Sequence, residues 1–333
     1  MAFIILFRYS RKRVSKLFVN YTMHFKHSLT CLLSVALSST AIAQEAPTEK
    51  MQRLLDSAKV HAKDNRYPMF LSQAAALADK ENDAGASALL HQRLGHYYYD
   101  KFPKLSINNN KKAYEQFLKD SNDRQAAMCL HSIGFVFEEH LNKHDSAINY
   151  IQQAIAMHEK LHDTSELANM NKYVGVLYAK TGRFAEGKSY VDKAIKTYKE
   201  QRYEPGIAVC QYDMATIYML QKKFDSSLYY LKQAKAYWQR NKNQSRILNV
   251  NNQMVAAYMM SRKQEEALKA MNENDKMLGS KGLYYGDVLK HYQNKSQFYM
   301  LKKDKEKAYS YRNRYMELKD SLVKQGIKIN PSL

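Results

Sequence analysis

His158-Glu159-Lys160-Leu161-His162 spells H-E-x-x-H. On a continuous helix that spacing sets two imidazoles one turn apart with a carboxylate beside them. Such a pair can share a zinc ion, and the glutamate can act as general base toward a metal-bound water. A catalytic zinc also needs a third protein ligand and an open position. Glu166 follows too closely to supply that ligand, and Glu186 falls in the next loop region. The motif also closes a periodic segment, where AIAMHEKLHD reads as a solvent-facing helix end with Leu161 as its packing residue. The expectation is a chain with no catalytic residue, no metal site and no cofactor. No phosphate-binding loop, dinucleotide fingerprint, nucleophile elbow or C-x-x-C occurs.

The elements that would carry these residues repeat. A small residue followed three positions later by an aromatic one recurs at Gly95/Tyr98, Gly134/Phe137, Gly175/Tyr178, Ala215/Tyr218, Val255/Tyr258 (Val in the small position) and Ser296/Tyr299. The interval is about 40 residues, within the range of stacked helical repeats. A second small residue follows at Ala147, Gly187, Ser227, Ala267 and Ala308, and later in the first copy, at Ala113. A small residue where two helices cross lets their backbones approach, and an aromatic one turn on fills the remaining gap. Each copy therefore reads as two antiparallel helices that bury their faces by stacking on neighbours. The 11 Gly and 5 Pro among 333 residues fit helices joined by short turns. Most of the 26 Tyr then become packing residues, and Cys129 and Cys210, two repeats apart, become buried thiols too distant to bridge.

GVLYAKTGRFAEGKSYVDKAI, with Gly175, Tyr178, Gly182, Phe184, Gly187 and Ala194, resembles the tetratricopeptide repeat, as does ATIYMLQKKFDSSLYYLKQA. The period exceeds the roughly 34 residues usual in that family and resembles its long-helix variants. The resemblance implies an all-α, right-handed superhelical solenoid of about six to seven helix-turn-helix units. Residues 44–80 would form a degenerate N-terminal helical pair, 81–325 the array and 326–333 a tail. In this family the first helix of each pair lines the concave face. Carried onto this register, the ligand-binding residues would be His131, Asn169, Lys172, Tyr212, Asn249, Asn252 and Gln293. Their amides would bracket an extended peptide backbone. The carboxylate clamp of some members is not expected, because Val176 stands where that clamp needs Asn beyond Lys172. AYSYRNRYMELKDSLVKQ resembles the last repeat of periplasmic sensors from Bacteroidetes-type bacteria, which implies a stand-alone or truncated sensor module.

The chain carries 52 Lys and Arg against 32 Asp and Glu, a formal net charge of +20. Six of those bases lie in residues 1–43, which hold no acid. There a basic stretch, an apolar run from Leu29 to Ala41 and Ala41-Ile42-Ala43 read as an export leader, with Met23 as the possible true start. Cys31 lacks a good lipobox. Cleavage near Ala43 predicts a periplasmic or secreted protein with 46 bases and 32 acids, a net +14. Its partner would be a peptide or protein, with weak, salt-sensitive contact to anionic envelope surfaces rather than nucleic acid. The competing reading is a cytosolic regulator whose basic surface meets an acidic partner or nucleic acid.

Overall fold

The computed structural model describes residues 49–62 and 64–327. The leader, its cleavage site, Cys31 and most of the C-terminal tail lie outside the described residues. Fourteen helices occur among them: α1 (Glu49–Val60), α2 (Tyr67–Glu81), α3 (Ala84–Tyr98), α4 (Pro103–Lys119), α5 (Asp123–Glu139), α6 (His144–Lys160), α7 (Thr164–Lys180), α8 (Phe184–Glu200), α9 (Glu204–Leu220), α10 (Phe224–Arg240), α11 (Gln244–Met260), α12 (Gln264–Asp275), α13 (Tyr285–Leu301) and α14 (Lys305–Lys324). No strand occurs among the described residues. The chain divides into two compact units, one ending at Thr181 and one starting at Gly182.

A local device sets the period. From α4 to α11 each helix has 17 residues. Each then stops at a residue in the left-handed region. His162, Gly182, Arg202, Lys222, Lys242, Arg262 and Gly282 follow one another at intervals of 20. The amide one residue further on reaches back to close the helix end, as Asp163 N to His158 O at 3.0 Å and Asn243 N to Trp238 O at 3.0 Å. The next helix starts at once. Asp83, Asn122, Asn243 and Asp304 cap α3, α5, α11 and α14 by accepting from the amides of Ala86, Gln125, Arg246 and Lys307. One repeat is thus two identical helix-and-turn lengths.

Small residues sit at the crossings. In the first unit a Cβ on Gly134 would lie 2.7 Å from Ile151 Cγ1 and 3.2 Å from the Ala147 carbonyl, so α5 and α6 touch there backbone to side chain. Ser106 Oγ donates to the Gly95 carbonyl at 2.7 Å, tying α4 to α3. In the second unit Ser296 Oγ donates to the Ala308 carbonyl at 2.9 Å. Ala113, Ala147, Ala215, Ser227, Ala267 and Ala308 are all fully buried. The tyrosines pack as expected. Phe137 stacks on Tyr150, Tyr218 on Tyr230 and Tyr299 on Tyr311, with centroids 5.4–5.5 Å apart and planes within 14°. Lys111, Lys188 and Lys307 lie over rings of these pairs. Cys129 and Cys210 are both fully buried, one in each unit.

The repeat that contains α12 departs from this spacing. Helix α12 has 12 residues and gives way to turns before α13 starts on schedule at Tyr285. Its buried end is Asn274, whose amide accepts from Asn251 at 2.9 Å and donates to Asn252 Oδ1 at 3.1 Å, with His291 Nδ1 at 3.3 Å. His291 Nε2 meets Asp275 at 2.9 Å, and Lys295 Nζ meets the same carboxylate at 2.6 Å. This polar seam joins α13 to α11 and α12, whereas α10 meets α11 through apolar side chains such as Leu231, Trp238, Leu248 and Val255.

The H-E-x-x-H segment is not a helical pair of ligands. His158 is the last buried residue of α6, with its Nδ1 3.3 Å from the Asp163 carboxylate, which Arg124 also approaches at 3.1 Å. His162 lies beyond the helix end at φ 52° and is exposed. The helix stops inside the motif, so the two imidazoles do not share a face. The expectation of a solvent-facing end is corrected at His158, which is fully buried because the last turn of α6 packs inward, beside the Asp163 carboxylate.

Candidate functional site

The first helices of successive pairs carry the predicted residues, and each unit holds its own set. In the first unit the face is aromatic and acidic. His131 on α5 has its ring 4.4 Å from Phe135, and Phe135 lies 4.1 Å from Tyr173 on α7. The Tyr173 hydroxyl donates to Glu138 at 3.2 Å, and Lys180 forms an ion pair with that glutamate. One first helix back, Tyr99 donates to Glu139 at 2.6 Å and stands edge-on to His140. Burial, reinforced by these carboxylates, pushes both phenols far above the ordinary tyrosine range. Burial alone pulls His96 down to about 4, so it is a neutral ring at physiological pH. Asn169 is exposed on α7, and Lys172 is half-buried one turn on.

In the second unit the face is built around a carboxylate. Asp287, in the first turn of α13, is 6% exposed. Asn249 of α11 donates to its Oδ1 at 2.7 Å, and Asn252 donates to its backbone carbonyl at 2.8 Å. Burial raises Asp287 to about 6 against the opposing pull of Asn249 and of Arg246. Burial lowers Arg246 in turn, while the charges of Asp287, Tyr212 and Asp213 hold its proton on. The Arg246 guanidinium lies 5.6 Å from the Trp238 ring centre. Tyr212 of α9 is pushed well up, first by burial and then by Asp287 and Asp213. One turn along α13, Lys290 donates to Gln293 at 2.9 Å, and burial lowers its pKa.

Four of the seven predicted residues therefore fall in the second unit, and they divide by role. Tyr212 and Asn249 converge on Asp287, Gln293 orients Lys290, and Asn252 faces inward. Asn252 is 4% exposed, and its amide is engaged by Asp287 and Asn274, so it builds the seam rather than a surface. Sequence reasoning passed over Arg246 and Asp287, both one helical step from the assumed inner positions. A visible signal existed: a base and an acid on first helices one repeat apart, in nearly equivalent register. Among the described residues no group of three or more His, Cys, Asp or Glu is arranged to hold a metal ion. What the second-unit face offers is graded hydrogen bonding and charge, with amide, phenol and guanidinium groups around one protonatable carboxylate and an ammonium paired with an amide one turn along α13.

No protein-family model matches the chain, and no curated protein matches it by sequence. Solved structures do match by fold. A tetratricopeptide repeat protein from Parabacteroides merdae aligns with 81% of this chain and 93% of its own at a TM-score of 0.60 and 12% identity. A signal transduction ATPase with numerous domains from Pyrococcus horikoshii, which carries a tetratricopeptide repeat sensor, aligns with 83% of this chain at a TM-score of 0.60 and 15% identity. That match spans 43% of the archaeal chain. A Rap protein complexed with competence and sporulation factor aligns with 83% of this chain and 86% of its own at a TM-score of 0.54 and 13% identity. Helix order, crossing residues and these likenesses agree: in fold, this chain is a tetratricopeptide-repeat α-solenoid whose unit is two helix-and-turn lengths.

Proposed function

We propose that the chain is a non-enzymatic binding module that holds an extended peptide or protein segment on its first helices. The observation that carries this is the second-unit face, where half-buried Tyr212, Asn249 and Arg246 surround Asp287 and half-buried Lys290 and Gln293 pair one turn further along α13. Amides and phenols aligned across successive helices suit a ligand whose own backbone offers donors and acceptors at regular steps. A solved likeness of the same fold is a Rap protein in complex with competence and sporulation factor, which supports the reading. The residues before Gln44 support export to the periplasm or beyond the cell, with the module acting there as a scaffold or sensor.

Affinity capture from envelope extracts tests the site. A double variant, Asn249→Ala with Gln293→Ala, is expected to lose the partners that the natural chain retains; unchanged recovery would remove the site. Asn252 is left intact, because its loss would open the seam. N-terminal sequencing tests export and should find Gln44 first. An unprocessed chain in the cytosol would favour the alternative drawn from the +20 charge, a regulator meeting an acidic partner.

A further inference from the structure

Three consecutive first helices of the second unit end on the same residue types. Helix α9 ends Met219-Leu220, α11 ends Met259-Met260 and α13 ends Met300-Leu301. Each pair follows a tyrosine of the repeat and precedes a basic pair: Lys222-Lys223, Arg262-Lys263 and Lys302-Lys303. The outer member of each is well exposed, Leu220 at 43%, Met260 at 55% and Leu301 at 65%. Isolated exposed apolar residues are ordinary. These three occupy one register position on helices that lie side by side. Gln253 bonds Thr216 across α11 and α9 at 2.9 Å, and Asn294 bonds the Asn252 carbonyl across α13 and α11 at 3.1 Å. The same position in the first unit holds Asp100, Glu139 and Lys180. The row is therefore a property of the second unit and not of the repeat.

Spacing and charge name the occupant. Packed helix axes lie about 10 Å apart, so the row advances by about 10 Å per rung. A straight helix presents the same face every seven residues, about 10.5 Å along its axis. Met and Leu tips adapt to varied apolar partners, and the bases beside them, apart from Lys263, which pairs with Asp225 at 2.6 Å, favour acids. A lipid surface fits less well. None of the exposed tips Leu220, Met260 and Leu301 is aromatic, as an interfacial anchor would be. Beside the middle rung a shallow groove of about 350 Å³ opens over Leu228, Tyr229 and Tyr258.

We propose that this rim docks an acidic amphipathic helix long enough to span three rungs, with an apolar residue at every seventh position. It is a second surface, separate from the first-helix face. The probe is a fluorescein-labelled synthetic 18-residue helix with Leu at positions 1, 8 and 15 and Glu and Ala elsewhere. Its control has the same composition with the leucines off register. Fluorescence anisotropy is expected to show saturable binding by the first peptide. The triple variant Leu220→Gln, Met260→Gln, Leu301→Gln should weaken it at least tenfold without shifting thermal melting. The charge variant Lys222→Glu, Arg262→Glu, Lys302→Glu should weaken it at low salt, and the Asn249→Ala, Gln293→Ala variant should leave it unchanged. Four results would each overturn the proposal: no saturable binding, equal binding of the control, binding that ignores both rim variants, or loss in the Asn249→Ala, Gln293→Ala variant. Co-sedimentation with phosphatidylglycerol vesicles that requires the three apolar residues, without peptide binding, would assign the rim to a membrane instead.

Discussion

Two buried titratable groups, one per unit, respond to acid in opposite directions. Asp287 binds its proton near pH 6 rather than at its ordinary 3.8. Between those values the folded chain holds a proton that the unfolded chain has released, so stability falls as pH rises through the window and is level above it. Asp287→Asn is expected to abolish that slope and add about 1–2 kcal/mol at pH 7, read from urea unfolding at pH 4.5 and 7. His96 titrates near 4 rather than 6.5. There the unfolded chain binds the extra proton, and stability is lost as pH falls from 6.5 toward 4. His96→Gln should remove that loss, visible as a flatter melting temperature across the same range. Single residues were also where the sequence was hardest to read. Asn249 and Asn252 differ by three positions and look alike in a stripe. One meets a carboxylate at a half-exposed face, and the other is enclosed by Asp287, Asn274 and Asn294. Only the neighbours, supplied by helices one or two further along the chain, separate those roles.

Helices were legible because their crossings demand residue size. The small-x-x-aromatic offsets located α3, α5, α7, α9, α11 and α13 and one ring of each stacked pair, Phe137, Tyr218 and Tyr299, whose partners Tyr150, Tyr230 and Tyr311 only the structure supplies. Adding one methyl at a crossing should be costly. Gly134→Ala is expected to destabilise by about 1–3 kcal/mol through overpacking. A double-mutant cycle with Ile151→Ala should recover part of that loss, because the clash is with the Ile151 side chain. Additive effects would show that the approach is not tight. Helix ends behave differently. Lys242 is exposed and held at φ 52°, a conformation that strains any residue with a Cβ. Lys242→Gly should stabilise by about 0.5–1 kcal/mol, read as a rise in melting temperature. The early end of α12 escaped the sequence pattern because Asn274, Asn251 and Asn252, which meet there, lie on two helices and each reads as an ordinary polar position.

Across the molecule the protection of the backbone should follow what each helix buries. Helix α1 buries Met51 and Ala58, and α14 buries Ala308 and Leu322, whereas α11 buries nine residues including Leu248, Val255 and Tyr258. Hydrogen exchange is expected to be fastest in α1 and α14 and slowest in α5 and α11, since solenoid stability accumulates from neighbouring contacts. Uniform protection would mean that the chain opens only as a whole. The regular left-handed stops have a further implication for how such a chain can change length. Duplicating two helix-and-turn lengths returns each downstream side chain to its own face and leaves crossings and first-helix stripe in phase. Duplicating one exchanges first helices for second, so the first-helix stripe falls out of phase downstream. Growth or loss of single helices is thereby excluded by arithmetic, and the array can lengthen only in pairs.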